Sequence, residues 1–225
     1  MLQIKANREV FQTTKPCPKW IDLIDLVLFI NLDKRKDRRS LIIKEFQELG
    51  IPCEKVVRIS AVPSGFTGCT KSHINALSFA MIHDCKRVMI CEDDFHVYSI
   101  NFNEELNKAM KNQLITSTLM VAMTPIYLGP IIQDTNLRRV NQASGMCCYI
   151  VYKSYFEKLL SIFQEALVVN KPHDMLTQTK QNRDYWYGFF PPIAVQRPGF
   201  SDIENKNVDY SYLEVQGQMI QTKRK

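Results

Sequence analysis

Between residues 25 and 94, short apolar runs alternate with segments of helical periodicity. Asp25 to Leu32 (DLVLFINL) is a continuous apolar run ending in a polar cluster, the pattern of a central strand covered on both faces. Ile42, Phe46 and Leu49 then fall at helical spacing, and Gly50 supplies a C-terminal stop. Lys55 to Ile59 (KVVRI) reads as a second strand, and Ala61 to Gly68, with Pro63 and Gly65, reads as a loop. Ile74, Leu77 and Met81 share one face of a helix expected from Lys71 to His83, with Thr70 as its cap. A third strand, Arg87 to Cys91, is β-branched and apolar and runs directly into Glu92-Asp93-Asp94. This alternation implies an α/β fold, a mostly parallel sheet with helices on both faces. Such sheets bind ligands at the carboxyl ends of their strands, which is where the acidic triplet stands.

The second half is less regular. Asn103 to Gln113 reads as helix, and Thr118 to Leu128 and Met146 to Tyr152 as extended chain. Ser154 and Glu157 match a capping box opening a helix to Glu165, with Phe156, Leu159, Leu160 and Phe163 facing inward. Beyond Phe189, prolines and glycines mark extended loops. A chain of 225 residues with 45% hydrophobic content supports one substantial core. We read one domain over residues 25–203, an N-terminal extension over 1–24 and a tail over 204–225.

Several function classes are disfavoured. Apolar runs such as Leu26 to Ile30 are far short of the roughly 20 residues that cross a bilayer, so no transmembrane segment is expected. Met1 to Asn7 lacks the apolar core of a secretion signal, and a cytoplasmic location is the expectation. Seven cysteines without a CxxC spacing read as reduced structural thiols, and the four histidines have no zinc-finger spacing to them. The net charge of +6 divides into +3 over Asp33 to Arg39 and +3 at Lys223, Arg224 and Lys225. That split lacks the basic stripe with interleaved aromatics of a nucleic-acid reader, so no nucleic-acid partner is expected.

Four segments, in order, carry a resemblance: INLDKRKDRR (Ile30 to Arg39), GCTKSHINA (Gly68 to Ala76), ICEDD (Ile90 to Asp94) and QRPGFSDI (Gln196 to Ile203). With SGMCCYIVYKSYFEKLL (Ser144 to Leu160) between the last two, the chain resembles glycosyltransferase family 25, the group of lipopolysaccharide-type and collagen galactosyltransferases. The resemblance implies a GT-A type, Rossmann-like fold, a divalent cation, usually Mn2+, a UDP-sugar donor, and inverting transfer of a hexose such as galactose or glucose. The acceptor would be a hydroxyl of a glycan, a lipid-linked sugar or a protein. The stretch from Asp94 to Ser144, where acceptor-contacting loops would lie, is shorter than in many members of the family.

The chemistry assigns roles to these residues. Breaking a sugar–diphosphate bond leaves negative charge on the leaving group, which a cation bridging the phosphates can neutralise. By analogy with the D-x-D motif of this fold, Asp94 is the first candidate for metal ligation. Glu92 would share the metal or contact the ribose, with Asp93 beside them. The same triplet also reads as a solvated acidic turn. Asp33, Arg35 and Arg38, followed by Arg39, come directly after the first strand. Arginine forks suit phosphate oxygens and an aspartate suits a ribose hydroxyl, although the run also fits a solvated loop. Ser72 and His73 are expected to open a helix whose free N–H groups suit an anion, and His73 fits packing equally well. Gly68 implies close backbone approach or a positive φ. Inversion needs a general base, for which the resemblance points to Asp174, with Asp184 in reserve and His173 as neighbour or metal ligand. Ser201 and Asp202 are candidates for supporting the donor, or for a loop-stabilising turn. Two other readings remain open: a metal-dependent nuclease or phosphohydrolase, and a nucleotide-sugar-binding module that has lost turnover.

Overall fold

A computed structural model describes residues 4–132, 135–209 and 212–213. In chain order its strands and α-helices are β1 Ala6–Arg8, β2 Leu26–Asn31, α1 Lys36–Leu49, β3 Val56–Ser60, α2 Gly65–Ile82, β4 Arg87–Glu92, β5 Phe95–Val97, α3 Phe102–Met110, β6 Thr118–Ile131, β7 Leu137–Tyr152, α4 Lys153–Val168, α5 His173–Gln181, β8 Tyr187–Phe189, β9 Ala194–Gln196, β10 Gly199–Ser201 and β11 Lys206–Val208. The main sheet has the order β1-β3-β2-β4-β7-β6-β8. Its parallel centre is β3-β2-β4. β7 joins β4 antiparallel, and β1 closes the far edge antiparallel to β3.

Alternating side chains of β2 divide the core. Val27 and Phe29 pack on one face with Trp20, Ile42, Phe46 and Leu106. Leu28 and Ile30 pack on the other with Leu77, Tyr149, Phe156 and Phe163. Helices thus cover both faces, as the unbroken apolar strands require. Each fully buried side chain such as Phe29 contributes roughly 1.5–3 kcal/mol.

Register is fixed at the end away from the acids. Asp25 Oδ2 accepts the backbone N–H groups of Lys86 and Arg87 at 2.6 and 2.7 Å. With Asp25 held there, β2 and β4 run in step and Ile30 stands opposite Glu92. Gly50 ends α1 at φ +76, the left-handed cap expected of it.

Three local expectations are corrected. The helix expected from Lys71 begins at Gly65, and Thr70 is not its cap: the Thr70 hydroxyl lies inside α2 and donates to Phe66 O at 2.9 Å. The Ser154/Glu157 capping box is absent, because α4 starts at Lys153 and Ser154 Oγ donates to Thr116 O at 2.7 Å instead. The expected boundary after residue 203 falls inside the ribbon formed by β10 and β11. Lys223, Arg224 and Lys225 lie outside the described residues. No described helix is long and apolar enough to cross a membrane.

Candidate functional site

At the carboxyl ends of β2 and β4 lies a cleft of about 340 Å³, within the usual size range of small-molecule sites. Its walls include Ile30, Arg38, Pro63, Gly65, Glu92 and Asp94. Lys34, Asp93, Gln196, Ser201 and Asp202 also line it.

The acidic triplet forms the charged floor. Asp93 accepts from Asn31 Nδ2 at 2.7 Å and from Arg38 Nη1 at 3.0 Å. Asp94 accepts from the same Arg38 Nη1 at 2.8 Å, from Gln196 Nε2 at 3.0 Å and from the Cys147 thiol at 3.4 Å. Arg38 reaches over from α1, and its other amino group donates to Phe200 O at 2.8 Å. One arginine therefore serves two buried carboxylates, and the third, Glu92, adds its own charge nearby.

Electrostatics follow from that imbalance. Burial, then the Asp93 charge, pushes the Glu92 carboxyl up to about 7. Burial, then Asp94, pushes Asp93 up to about 6. Asp94 is raised as well, by burial and then by Glu92, while Arg38 pulls the other way. For Arg38 burial opposes the charge, but Asp94 and Asp93 outweigh it and hold the guanidinium protonated.

The other expected site residues divide. Ser72 lines the cleft, yet it sits well inside α2, where its hydroxyl donates to Gly68 O at 2.7 Å and accepts the Val62 N–H at 2.8 Å. Its part is to hold the loop before the helix. Neither Ser72 nor His73 opens α2, so the free N–H groups expected of them belong to the turn starting at Gly65, which does line the cleft. His73 is fully buried below, with Nδ1 3.0 Å from the Tyr149 hydroxyl and Nε2 3.2 Å from Glu92 Oε1. Gly68 answers the expected close approach: a Cβ there would stand 2.1 Å from Val62 O.

Ion pairs absorb most of the basic run. Arg35 bonds Asp37 at 2.8 Å and Asp202 at 2.6 Å, and Lys34 bonds Asp202 at 2.6 Å. Lys34 and Arg35 hold the Asp202 carboxyl below its ordinary range despite burial. Asp33 is outside the cleft lining, paired with Lys5 and Arg58, which keep its carboxyl well below the ordinary range. Arg39 pairs with Glu9 at 2.9 Å. Ser201 Oγ accepts the Glu204 N–H at 3.1 Å, the turn that its context suggested.

Asp174 stands in the first turn of α5 and accepts the Gly145 N–H at 3.2 Å. It does not line the main cleft, but Gly145, Cys147 and Gln196 line a small neighbouring cavity. Asp184 is occupied by Tyr155, Lys158 and Arg183. Sequence reasoning passed over Asn31, Gln196 and Cys147, which hold the triplet, and Cys69, which also lines the cleft. All four lie inside the quoted segments, so only their roles were hidden.

No protein-family profile matches the chain, and no curated protein sequence matches it. Among solved structures, a glycosyltransferase involved in the glycosylation of the major capsid of PBCV-1 superposes with a TM-score of 0.50 at 12% identity, over 84% of this chain and 98% of that one. A197 from STIV gives a TM-score of 0.49 at 14% identity, over 81% of this chain and 92% of that one. The first of these likenesses concerns the fold. The chain has a GT-A type, Rossmann-like α/β fold, as expected.

Proposed function

We propose that the protein is a glycosyltransferase that moves a hexose, galactose or glucose, from a UDP-sugar to a hydroxyl of a glycan, lipid-linked or protein acceptor, with inversion and with a divalent cation. The observation that carries this reading is the shortage of positive charge in the cleft. Three clustered carboxylates face one guanidinium, so the ionised group has a net charge of −2, and burial, then mutual repulsion, raises the acids toward neutrality. A divalent cation would cancel that charge, and oxygen donors of this kind suit Mn2+ or Mg2+. The donor set therefore fits the cation that the family 25 resemblance implies, with Asp94 and Glu92 as its protein ligands. When bound, such a cation supplies charge neutralisation at the leaving diphosphate.

The chain's own residues do the rest. The first turn of α2, at Gly65, offers backbone N–H groups to the diphosphate, and the positive end of the helix favours its charge. Lys34 and the Asp202 loop close one side, while Arg38 and Asn31 fix the triplet's orientation. In this reading Asp174 takes the proton of the acceptor hydroxyl, which enters beside Gly145. The order of the four quoted segments supports placing the chain in family 25.

The test is calorimetric titration of the folded protein with UDP and UDP-hexoses, with and without manganese. Manganese-dependent affinity for UDP and release of a free sugar or a glycosylated acceptor are the expected results. Absence of manganese-linked affinity for every nucleoside diphosphate overturns the proposal.

A further inference from the structure

Directly behind the cleft, α2 and α5 bring three good metal ligands together. Cys69 and His73 lie one turn apart on α2, and His173 begins α5. Their donor atoms all lie within 4.8 Å of one another. The two imidazole rings are 4.6 Å apart, centroid to centroid. Glu92 Oε1 adds an oxygen 3.2 Å from His73 Nε2 and 3.6 Å from Cys69 Sγ. Donor atoms around a tetrahedral zinc stand about 3.3–3.6 Å apart, given bonds of about 2.0–2.3 Å. One edge of such a polyhedron is thus already at length, and a second, at 3.2 Å, is just under it.

The hydrogen bonding of His173 supplies an independent reason. Its Nδ1 lies 3.2 Å from Thr70 Oγ1, whose own proton is donated to Phe66 O. Thr70 can only accept from the imidazole, so the ring proton sits on Nδ1 and Nε2 presents a bare lone pair. That Nε2 is buried and has no hydrogen-bond partner among the described residues, and His173 itself is 5% exposed. A buried nitrogen acceptor without a donor costs free energy, and a cation is one of the few groups that would repay it. The Thr70 contact is also the kind of outer bond that fixes the tautomer of a metal-binding histidine. Tyr149 OH, 3.0 Å from His73 Nδ1, can serve the second ring in the same way.

We infer that Cys69 Sγ, His73 Nε2 and His173 Nε2 form a binding site for a zinc-class cation, with Glu92 Oε1 at the fourth position and the second oxygen of Glu92 left for the cleft cation. The ligands are a thiolate and two imidazoles, which select borderline-soft ions, whereas the Asp93 and Asp94 side of the cleft presents oxygen alone. The site goes beyond the sugar-transfer reading and does not depend on it. Binding would release the Cys69 proton to solvent and fix Glu92 at the wall between the two sites.

The test is metal content and Co2+ spectroscopy on the full chain. After gel filtration without chelator, the protein should hold one equivalent of zinc per chain. Replacement by Co2+ should give a thiolate-to-cobalt charge-transfer band and tetrahedral ligand-field bands. Cys69→Ser should abolish the charge-transfer band, and His173→Gln should lower cobalt affinity at least tenfold, while Cys53→Ser, away from both sites, should leave the spectrum unchanged. Folded wild-type protein with neither zinc nor cobalt bands overturns the inference, as does a charge-transfer band that survives Cys69→Ser or vanishes in Cys53→Ser. Circular dichroism of each variant separates loss of metal from loss of fold. Manganese-linked UDP affinity is measured separately on the wild type, so failure of either idea leaves the other standing.

Discussion

Arg38 Nη1 donates to Asp94 Oδ2 at 2.8 Å, with only 14% and 4% of the two side chains exposed. A buried pair of this kind is expensive to break, because the surviving charge stays behind in a poor solvent. Arg38→Met should lower unfolding free energy by about 3–5 kcal/mol at pH 8. At pH 5 the loss should be smaller, since Asp93, whose carboxyl is raised to about 6, can then take up a proton. Urea denaturation at the two pH values checks this; an equal loss at both would mean that the pair is not the cause.

Asp94→Asn removes charge and keeps shape. Arg38 retains Asp93 and the Phe200 carbonyl, so the fold should persist. If Asp94 ligates the cation, manganese-dependent turnover should fall by about 100-fold or more, beyond the roughly 10–100-fold typical of outer-shell changes. Steady-state rates with UDP-galactose and UDP-glucose read this, and unchanged rates would remove Asp94 from the mechanism.

Glu92 gives a pH signature in metal-free protein. Its carboxyl is raised to about 7, so between the unfolded value near 4.5 and pH 7 the folded state binds more protons than the unfolded one. The sign of the linkage then makes stability fall as pH rises through that window. Glu92→Gln should flatten this slope and raise stability at pH 8 by about 1–2 kcal/mol, discounted because the side chain is 22% exposed. Manganese should flatten the wild-type slope too, by favouring the ionised form. Thermal unfolding from pH 5 to 8, with and without manganese, measures both effects.

Two glycines should respond differently. In Gly68→Ala the new methyl meets the Val62 carbonyl at 2.1 Å, in a residue whose own backbone N–H is held by the Ser72 hydroxyl. Helix propensity favours alanine by about 1 kcal/mol, but the clash should win, with a net loss of about 1–3 kcal/mol and weaker UDP binding. In Gly188→Ala the methyl meets the end of the Met123 side chain at 2.6 Å, which can turn aside. Its cost should be smaller, and UDP affinity should not change. Equal effects would mean that the close backbone approach at Gly68 does not matter.

The parts that were legible in the sequence are those written locally. An unbroken apolar run gave β2, a helical period closed by Gly50 gave α1, and a β-branched run gave β4 with acids at its end. The start of α2 was hidden because Gly65 and Gly68 look like loop punctuation. Gly68 is instead small so that the helix can pass under Val62 O. The roles expected of Asp33 and Arg35 met a different obstacle. Their partners Arg58 and Asp202 come from distant segments, and periodicity carries no record of who pairs with whom. His173 was named as a possible metal ligand, but its meeting with Cys69 and His73 was invisible for the same reason, since one of the three comes from α5 and two from α2.

Gln196, the Phe200 carbonyl and Asp202 all reach back to groups encoded before residue 95. During synthesis the strands β2 to β4 leave the ribosome long before those partners exist. The nascent chain must therefore carry Asp94 and Arg38 half-satisfied until the segment from Gln196 onward emerges. A premature stop before Gln196 would leave the parallel centre of the sheet encoded yet its cleft unfinished, a product more exposed to proteases than the whole molecule.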